Sequence, residues 1–309
     1  MTGKIRTILG DIDPGQLGYT MPHEHILDNP AVGGYMDADH VLDDYDKAKQ
    51  MLEEFKAIGG GTIGEASTKH WGRNTAGMAK LSEETGVHII CCTGYLCESQ
   101  CDMDAWIGDK TIDDLQEEMV REVTEGMDGT GCRAGWIKAG TSYDYISARE
   151  EKVLRAAARA SKLTGAPVQT HTSTGTMGLE QIEIMEEEGL DLTHFCLAHV
   201  DRNPDYWYHK KMLEKGVYLI YDGPGKAKYY PDCMRVELLQ KLIADGYADR
   251  LMLSNDMGKR SHHTVYGKGP GWQWIKQRFL PRLLEEGFQQ ETLDKFMIEN
   301  PARFYTMYR

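Results

Sequence analysis

The chain has 309 residues, with 35 Lys and Arg against 48 Asp and Glu, a formal net charge of −13, and 41% hydrophobic residues. This length allows one or two domains and a large core, while the acidity argues against a general binder of nucleic acid or of an anionic membrane surface, since both partners are polyanions. No segment approaches the ~18–20 apolar residues that cross a bilayer, the opening MTGKIRTILGDID has no signal-like apolar run, and an odd count of seven cysteines does not suit a disulfide framework; a cytoplasmic protein with reduced cysteines is expected.

In chain order, eight short apolar runs read as strands: 19–25 (YTMPHEH), 61–67 (GTIGEAS), 87–94 (VHIICCTG), 134–140 (AGWIKAG), 167–172 (PVQTHT), 195–201 (FCLAHVD), 217–223 (VYLIYDG) and 250–256 (RLMLSND). Longer stretches of helical period separate them, several ending in Gly, the usual left-handed helix cap, and 291–309 reads as a terminal helix with a short tail. Strict alternation of nearly continuous apolar strands with amphipathic helices predicts a parallel sheet covered by helices. Eight repeats predict closure into a single (β/α)8 TIM barrel over residues 1–309. The alternative is an open doubly wound sheet, but no GxGxxG follows the first strand and no Gly/Ser/Pro-rich linker divides the chain.

In such a barrel the reacting groups lie at the C-terminal strand ends. His23 and His25 close the first run; two apart, they project to the same face. Cys92, Cys97 and Cys101 follow at five- and four-residue gaps that match no common zinc spacing. Lys138 lies in the fourth run, His171 ends the fifth, His199 is late in the sixth and Asp256 ends the eighth. Together the histidines and the aspartate form the nitrogen and oxygen donor set that divalent transition ions prefer. A Lys ammonium among such groups has no lone pair to offer. Carbamylation of Lys138 by CO2 would make it a bridging carboxylate, and the alternative is an ordinary ion pair with Glu65 or Asp256. Two loops are rich in cations: Lys226 and Lys228 after the seventh run, then Lys259, Arg260, His262, His263 and Lys268 with Tyr266 after the eighth. In an acidic chain this concentration favours a small anionic substrate, the alternative being that some of these residues simply face solvent.

The motifs HEHI, IKAGTS, QTHTSTG, LAHVDRNPD and LMLSNDM, in this order, resemble the phosphotriesterase family of the amidohydrolase superfamily over essentially the whole chain. The resemblance implies a binuclear centre of two divalent ions, zinc first and manganese, cobalt or iron as alternatives. His23, His25 and Asp256 would hold one ion and His171 and His199 the other, with carboxylated Lys138 and a hydroxide between them and Asp256 as proton acceptor. It also makes a homodimer plausible. The two cationic loops resemble a branch that hydrolyses phosphorylated furanose lactones, which makes Lys226 or Lys228, Lys259, Arg260 and Tyr266 phosphate-binding candidates; the order of Lys and Arg in MGKRSHH departs from that branch. Tyr95, in CTGYLC, resembles a tyrosine that lactonases place beside the metals, or else packs on the rim. The expected reaction is opening of a small, phosphorylated sugar lactone by a bridging hydroxide. The alternatives are an amide or ester hydrolase, a neutral-lactone hydrolase with side phosphotriesterase activity, and a non-catalytic metal-binding barrel.

Overall fold

The computed structural model describes residues 3–31, 36–100 and 102–308. A short hairpin, β1 (Ile5–Thr7) and β2 (Gly10–Ile12), precedes eight parallel strands that pair in sequence order: β3 (Tyr19–Glu24), β4 (Gly60–Glu65), β5 (His88–Gly94), β6 (Trp136–Thr141), β7 (Val168–Thr172), β8 (Phe195–Ala198), β9 (Tyr218–Tyr221) and β10 (Leu251–Leu253). The expected TIM barrel is therefore the observed fold. Around it run α1 (Tyr45–Ala57), α2 (Thr75–Thr85), α3 (Met103–Trp106), α4 (Ile112–Thr124), α5 (Ala148–Thr164), α6 (Gly178–Glu187), α7 (Tyr206–Glu214) and α8 (Asp232–Ala244), followed by α9 (Leu280–Glu285), α10 (Gln290–Asp294) and α11 (Asn300–Tyr305). Among the described residues, no helix is long and apolar enough to cross a membrane.

Local chemistry explains the element ends. Ser147 caps α5 through the Glu150 amide while Glu150 returns to the Ser147 amide, and Gly165 ends the helix at φ 78°. The apolar residues of the strands divide into two layers. One joins the sheet to the helices; the other fills the barrel with Ile90, Trp136, Cys196, Ile220 and Met252, and Ile5, Leu17, Phe304 and Tyr305 of the chain ends pack beneath it. Trp136 can be buried completely because its indole N–H donates to the Ile90 carbonyl at 3.0 Å.

Two expectations need refinement. The last outer helix and the terminal helix are each interrupted by a π turn, 275–279 and 295–299, just ahead of Pro281 and Pro301. Proline lacks an N–H and its ring crowds the carbonyl four residues back, so a wider turn accommodates it. The barrel also closes unusually. Among the described residues no registered ladder joins β3 to β10; the seam is held by the Asp256 amide, which donates to the His23 carbonyl at 3.2 Å, and by Ser254 Oγ, 3.0 Å from the His23 amide and 2.9 Å from the His23 carbonyl. Cys92 and Cys97 are buried thiols in no disulfide and belong to no metal-competent group among the described residues, whereas Cys101 lies outside them.

Candidate metal centre

The ends of the strands bring His23, His25, Lys138, His171, His199 and Asp256 into one cavity. The ligand atoms of His23, His25 and Asp256 lie within 4.8 Å of one another, and so do those of His23, His199 and Asp222. Asp256 Oδ1 stands 3.9 Å from His23 Nε2 and 3.6 Å from His25 Nε2. His171 belongs to neither group, but its ring centroid is 4.4 Å from that of His199.

Neighbouring groups choose the tautomers. Ser67 Oγ donates to Asp28 Oδ2 at 2.9 Å, so it accepts from His25 Nδ1 at 2.8 Å and leaves Nε2 facing the cavity. Ser173 Oγ donates to the Thr141 carbonyl at 2.8 Å and accepts from His171 Nε2 at 3.1 Å, which leaves His171 Nδ1 free to bind. His199 Nδ1 lies 2.6 Å from Asp222 Oδ2; that carboxylate accepts from Nδ1–H although an Arg202 nitrogen is 2.8 Å away, so the Nε2 lone pair remains. A carboxylate or hydroxyl thus orients three of the four imidazoles, as metal-binding histidines are commonly held, whereas His23 Nδ1 is buried with no hydrogen-bond partner among the described residues.

Burial, reinforced by nearby cationic groups, holds His23, His171 and His199 well below the usual imidazole range, so they are neutral donors at pH 7. Burial also lowers the Lys138 amine, which lies 3.3 Å from His23 Nε2. No carboxylate pairs with Lys138 at ion-pair distance among the described residues, so the simple ion pair with Glu65 or Asp256 is not formed. For His25 burial acts downward, but the carboxylates of Asp256 and Asp28, each 3.6 Å from a ring nitrogen, outweigh it and raise the ring to about 9, so without an ion Nε2 carries a proton that a bound ion would displace. Burial would raise Asp256, yet Lys226, His25, His199 and Arg202 together hold its carboxyl well below the usual range. Three neutral imidazoles, a fourth that a bound ion would deprotonate, the ionised Asp256 and a buried amine of lowered pKa are a donor set that fits divalent ions.

The cavity wall is cationic. Lys226, Lys228 and Lys259 all line it, as expected. Lys226 is engaged, donating to the Asp256 carbonyl at 2.6 Å, whereas Lys228 and Lys259 have no carboxylate partner among the described residues. Three residues expected at the substrate are not on this wall. Arg260 donates from Nε to the Val41 carbonyl at 2.6 Å and from a terminal nitrogen to Asp43 at 2.7 Å, which turns it towards the segment ahead of α1. Tyr266 goes with it, covered by Lys47 at 4.1 Å from its ring centroid. Tyr95 is buried with its ring stacked on His70 at 5.5 Å; its hydroxyl donates to Glu118 and accepts from Lys110, both at 3.0 Å, so the phenol faces the helix layer.

Sequence reasoning missed Arg202, a wall residue whose guanidinium donates to Asp256 Oδ2 at 2.7 Å. The signal was its place in the turn 200–202 directly after His199. Asp222 and His40 were missed as well. Trp71, in the turn 69–71 after β4, also lines the cavity.

The Phosphotriesterase family profile matches residues 3–305. The lactonase Lmo2620 from Listeria monocytogenes superposes with a TM-score of 0.95 at 37% identity, covering 99% of this chain and 100% of that one. A phospho-furanose lactonase of Mycoplasmopsis agalactiae is 33% identical over 316 residues, 96% of this chain and 90% of the relative. An N-acetyltaurine hydrolase of Danio rerio is 33% identical over 350 residues, covering 99% of each chain.

Proposed function

The chain belongs to the phosphotriesterase family, and from that premise we propose that this metal-dependent hydrolase, acting as a single 1–309 domain, opens a small lactone that carries a phosphate. One observation carries the reading: in an acidic chain, the cavity that gathers the histidines and Asp256 is walled by Lys226, Lys228, Lys259 and Arg202. The lactonase of known structure and the phospho-furanose lactonase among its relatives support it.

His23, His25 and Asp256 would hold one divalent ion and His171 and His199 a second, and Lys138, as a carbamate, would add oxygen donors to the pair. When bound, such ions lower the pKa of water towards neutrality and polarise a carbonyl. The protein does the rest. Asp256 accepts the proton released as water adds to the lactone carbon, and delivers it to the ring oxygen as the C–O bond breaks, yielding a hydroxy carboxylate. Arg202 fixes Asp256 through Oδ2 and leaves Oδ1 towards the histidines. Lys228 and Lys259 take the phosphate, and Trp71 and Leu96 supply apolar wall that excludes water from the reacting bond.

A second reading, hydrolysis of an amide bearing an anionic sulfonate, is favoured by the similarity to N-acetyltaurine hydrolases, since a cationic wall suits a sulfonate as well as a phosphate. Aldonolactones with and without a 5-phosphate, and an N-acyl aminosulfonate, measured by proton release with metal-loaded protein, separate the two. The phosphorylated lactone is expected to have the highest kcat/KM, by about 100-fold over its unphosphorylated form, the scale of one or two charge-assisted hydrogen bonds. Faster turnover of the amide would replace this reading with the second.

The wall makes a finer prediction. Lys228→Met should raise KM for the phosphorylated lactone by about 10-fold and leave the unphosphorylated one nearly unchanged, because only the former loses a charge-assisted bond. Arg260→Ala should change neither by more than about 2-fold, since its guanidinium is already held by Val41 and Asp43 at the surface. Steady-state kinetics on both lactones checks the pair, and a large Arg260 effect would restore that residue to the phosphate site.

A further inference from the structure

We propose that Glu24, between the two N-terminal histidines, is a positioning residue that sets the Asp256 carboxylate by clamping the backbone that carries it. The consequence for metal binding rests on the reading above, whereas the clamp itself is a matter of geometry. Strand alternation that sends His23 and His25 into the cavity turns Glu24 away from it, and Glu24 is fully buried. Its Oε1 accepts from Ser254 Oγ at 2.7 Å, the Asn255 amide at 2.7 Å and the Asp256 amide at 3.1 Å; its Oε2 accepts from the Met257 amide and the Trp272 indole, both at 2.9 Å. A carboxylate has about four lone-pair sites, so these donors saturate it.

Three of the donors are the consecutive amides of 255–257. Successive N–H groups that curl around one point form an anion-binding concavity, and here the anion is an internal side chain. The curl requires a left-handed residue, and Asp256 supplies it at φ 51°. For a non-glycine residue that conformation is disfavoured and persists where its surroundings impose it. The same carboxylate bonds Ser254, which stitches β3 to β10 where no registered ladder does. One rigid unit thus fixes the spacing between His23 and His25, Glu24's neighbours in sequence, and Asp256, more than 230 residues away in the chain.

The test uses the full-length protein and three variants. Glu24→Gln keeps the shape but turns an amide NH2 towards part of the donor set. Trp272→Phe removes one donor and keeps the carboxylate, and Lys241→Ala on α8 serves as a surface control. Hydrogen exchange of the 255–257 amides in metal-free protein reads the clamp directly, and should accelerate at least about 10-fold in Glu24→Gln while the β6 and β7 amides stay protected. Competition between protein and chelator for Co2+ should show about 10–100-fold weaker binding at one of two sites, with kcat falling in parallel and KM within about 2-fold. Trp272→Phe should show the same changes at a few-fold. A merely structural role would lower Tm without moving Co2+ affinity or kcat at temperatures where the variant is folded. Unchanged exchange and Co2+ affinity in folded Glu24→Gln would overturn the proposal. If Glu24→Gln does not fold, unchanged exchange at 255–257 in Trp272→Phe overturns it instead. Absence of Co2+ binding in the wild-type protein would remove the metal-centre reading, and the exchange data would still decide the clamp.

Discussion

Asp256→Asn is expected to lower kcat by at least about 10³-fold, within the range that a positioned acid or base contributes, while the protein stays folded and its Tm moves by only a few degrees. The geometry separates the two outcomes. Oδ2 accepts from Arg202 at 2.7 Å, and Oδ1 faces His25 Nε2 at 3.6 Å and His23 Nε2 at 3.9 Å. An asparagine must give its one oxygen to Arg202, because an NH2 there would oppose the guanidinium donors. The NH2 then points at the two imidazoles, so a ligand and the proton acceptor are lost together. Stability survives for two reasons. Asn adopts the left-handed region as readily as Asp, so φ 51° adds no new strain, and Arg202 keeps Asp222 as a partner at 3.4 Å. Kinetics on variant protein supplied with divalent ion checks this. Activity within about 10-fold of wild type would remove Asp256 from the reaction.

The contrast between what could and could not be read in the sequence follows from the range of the interactions. The eight strands were legible because each is a local apolar run buried on both faces, as in 168–172, where every residue is buried. His23 and His25 were legible because a period of two places them on one face whatever surrounds them. Loop side chains obey no such rule. Arg260 was expected on the phosphate, yet its direction is decided by Val41 and Asp43, 219 and 217 residues earlier in the chain. Tyr95 was drawn away from the cavity by Glu118 and Lys110, contacts between a loop and a helix that no spacing announces. Arg202 and Glu24 lay in plain view within quoted motifs, but their importance comes from what converges on them in space. The π turns before Pro281 and Pro301 were missed because the apolar period continues through them.

Lys138→Met is expected to remove at least one of two bound ions and to lower kcat by more than about 10³-fold, and Lys138→Arg to do the same. The lysine is 1% exposed, its Nζ is 3.3 Å from His23 Nε2, and burial lowers its pKa. The neutral amine that burial favours is the form that adds CO2: the nitrogen lone pair attacks the carbon, a proton leaves, and a carbamate anion with two oxygen donors results. Arginine keeps length and charge but does not deprotonate, and methionine keeps volume without a lone pair of comparable basicity, so neither yields that anion. Folding should be spared in the methionine variant, because replacing a buried amine by an apolar chain of similar size is often neutral or stabilising, and its Tm should equal or exceed that of metal-free wild type. Carbamylation would have its own signature. Metal-free protein prepared without CO2 and given divalent ion should recover activity at a rate set by added bicarbonate, and ¹³C-bicarbonate should label wild-type protein but neither variant. Immediate full activity in bicarbonate-free buffer, with no ¹³C signal, would leave Lys138 as an unmodified amine, and the two ions would then have to be held by the imidazoles and Asp256 alone.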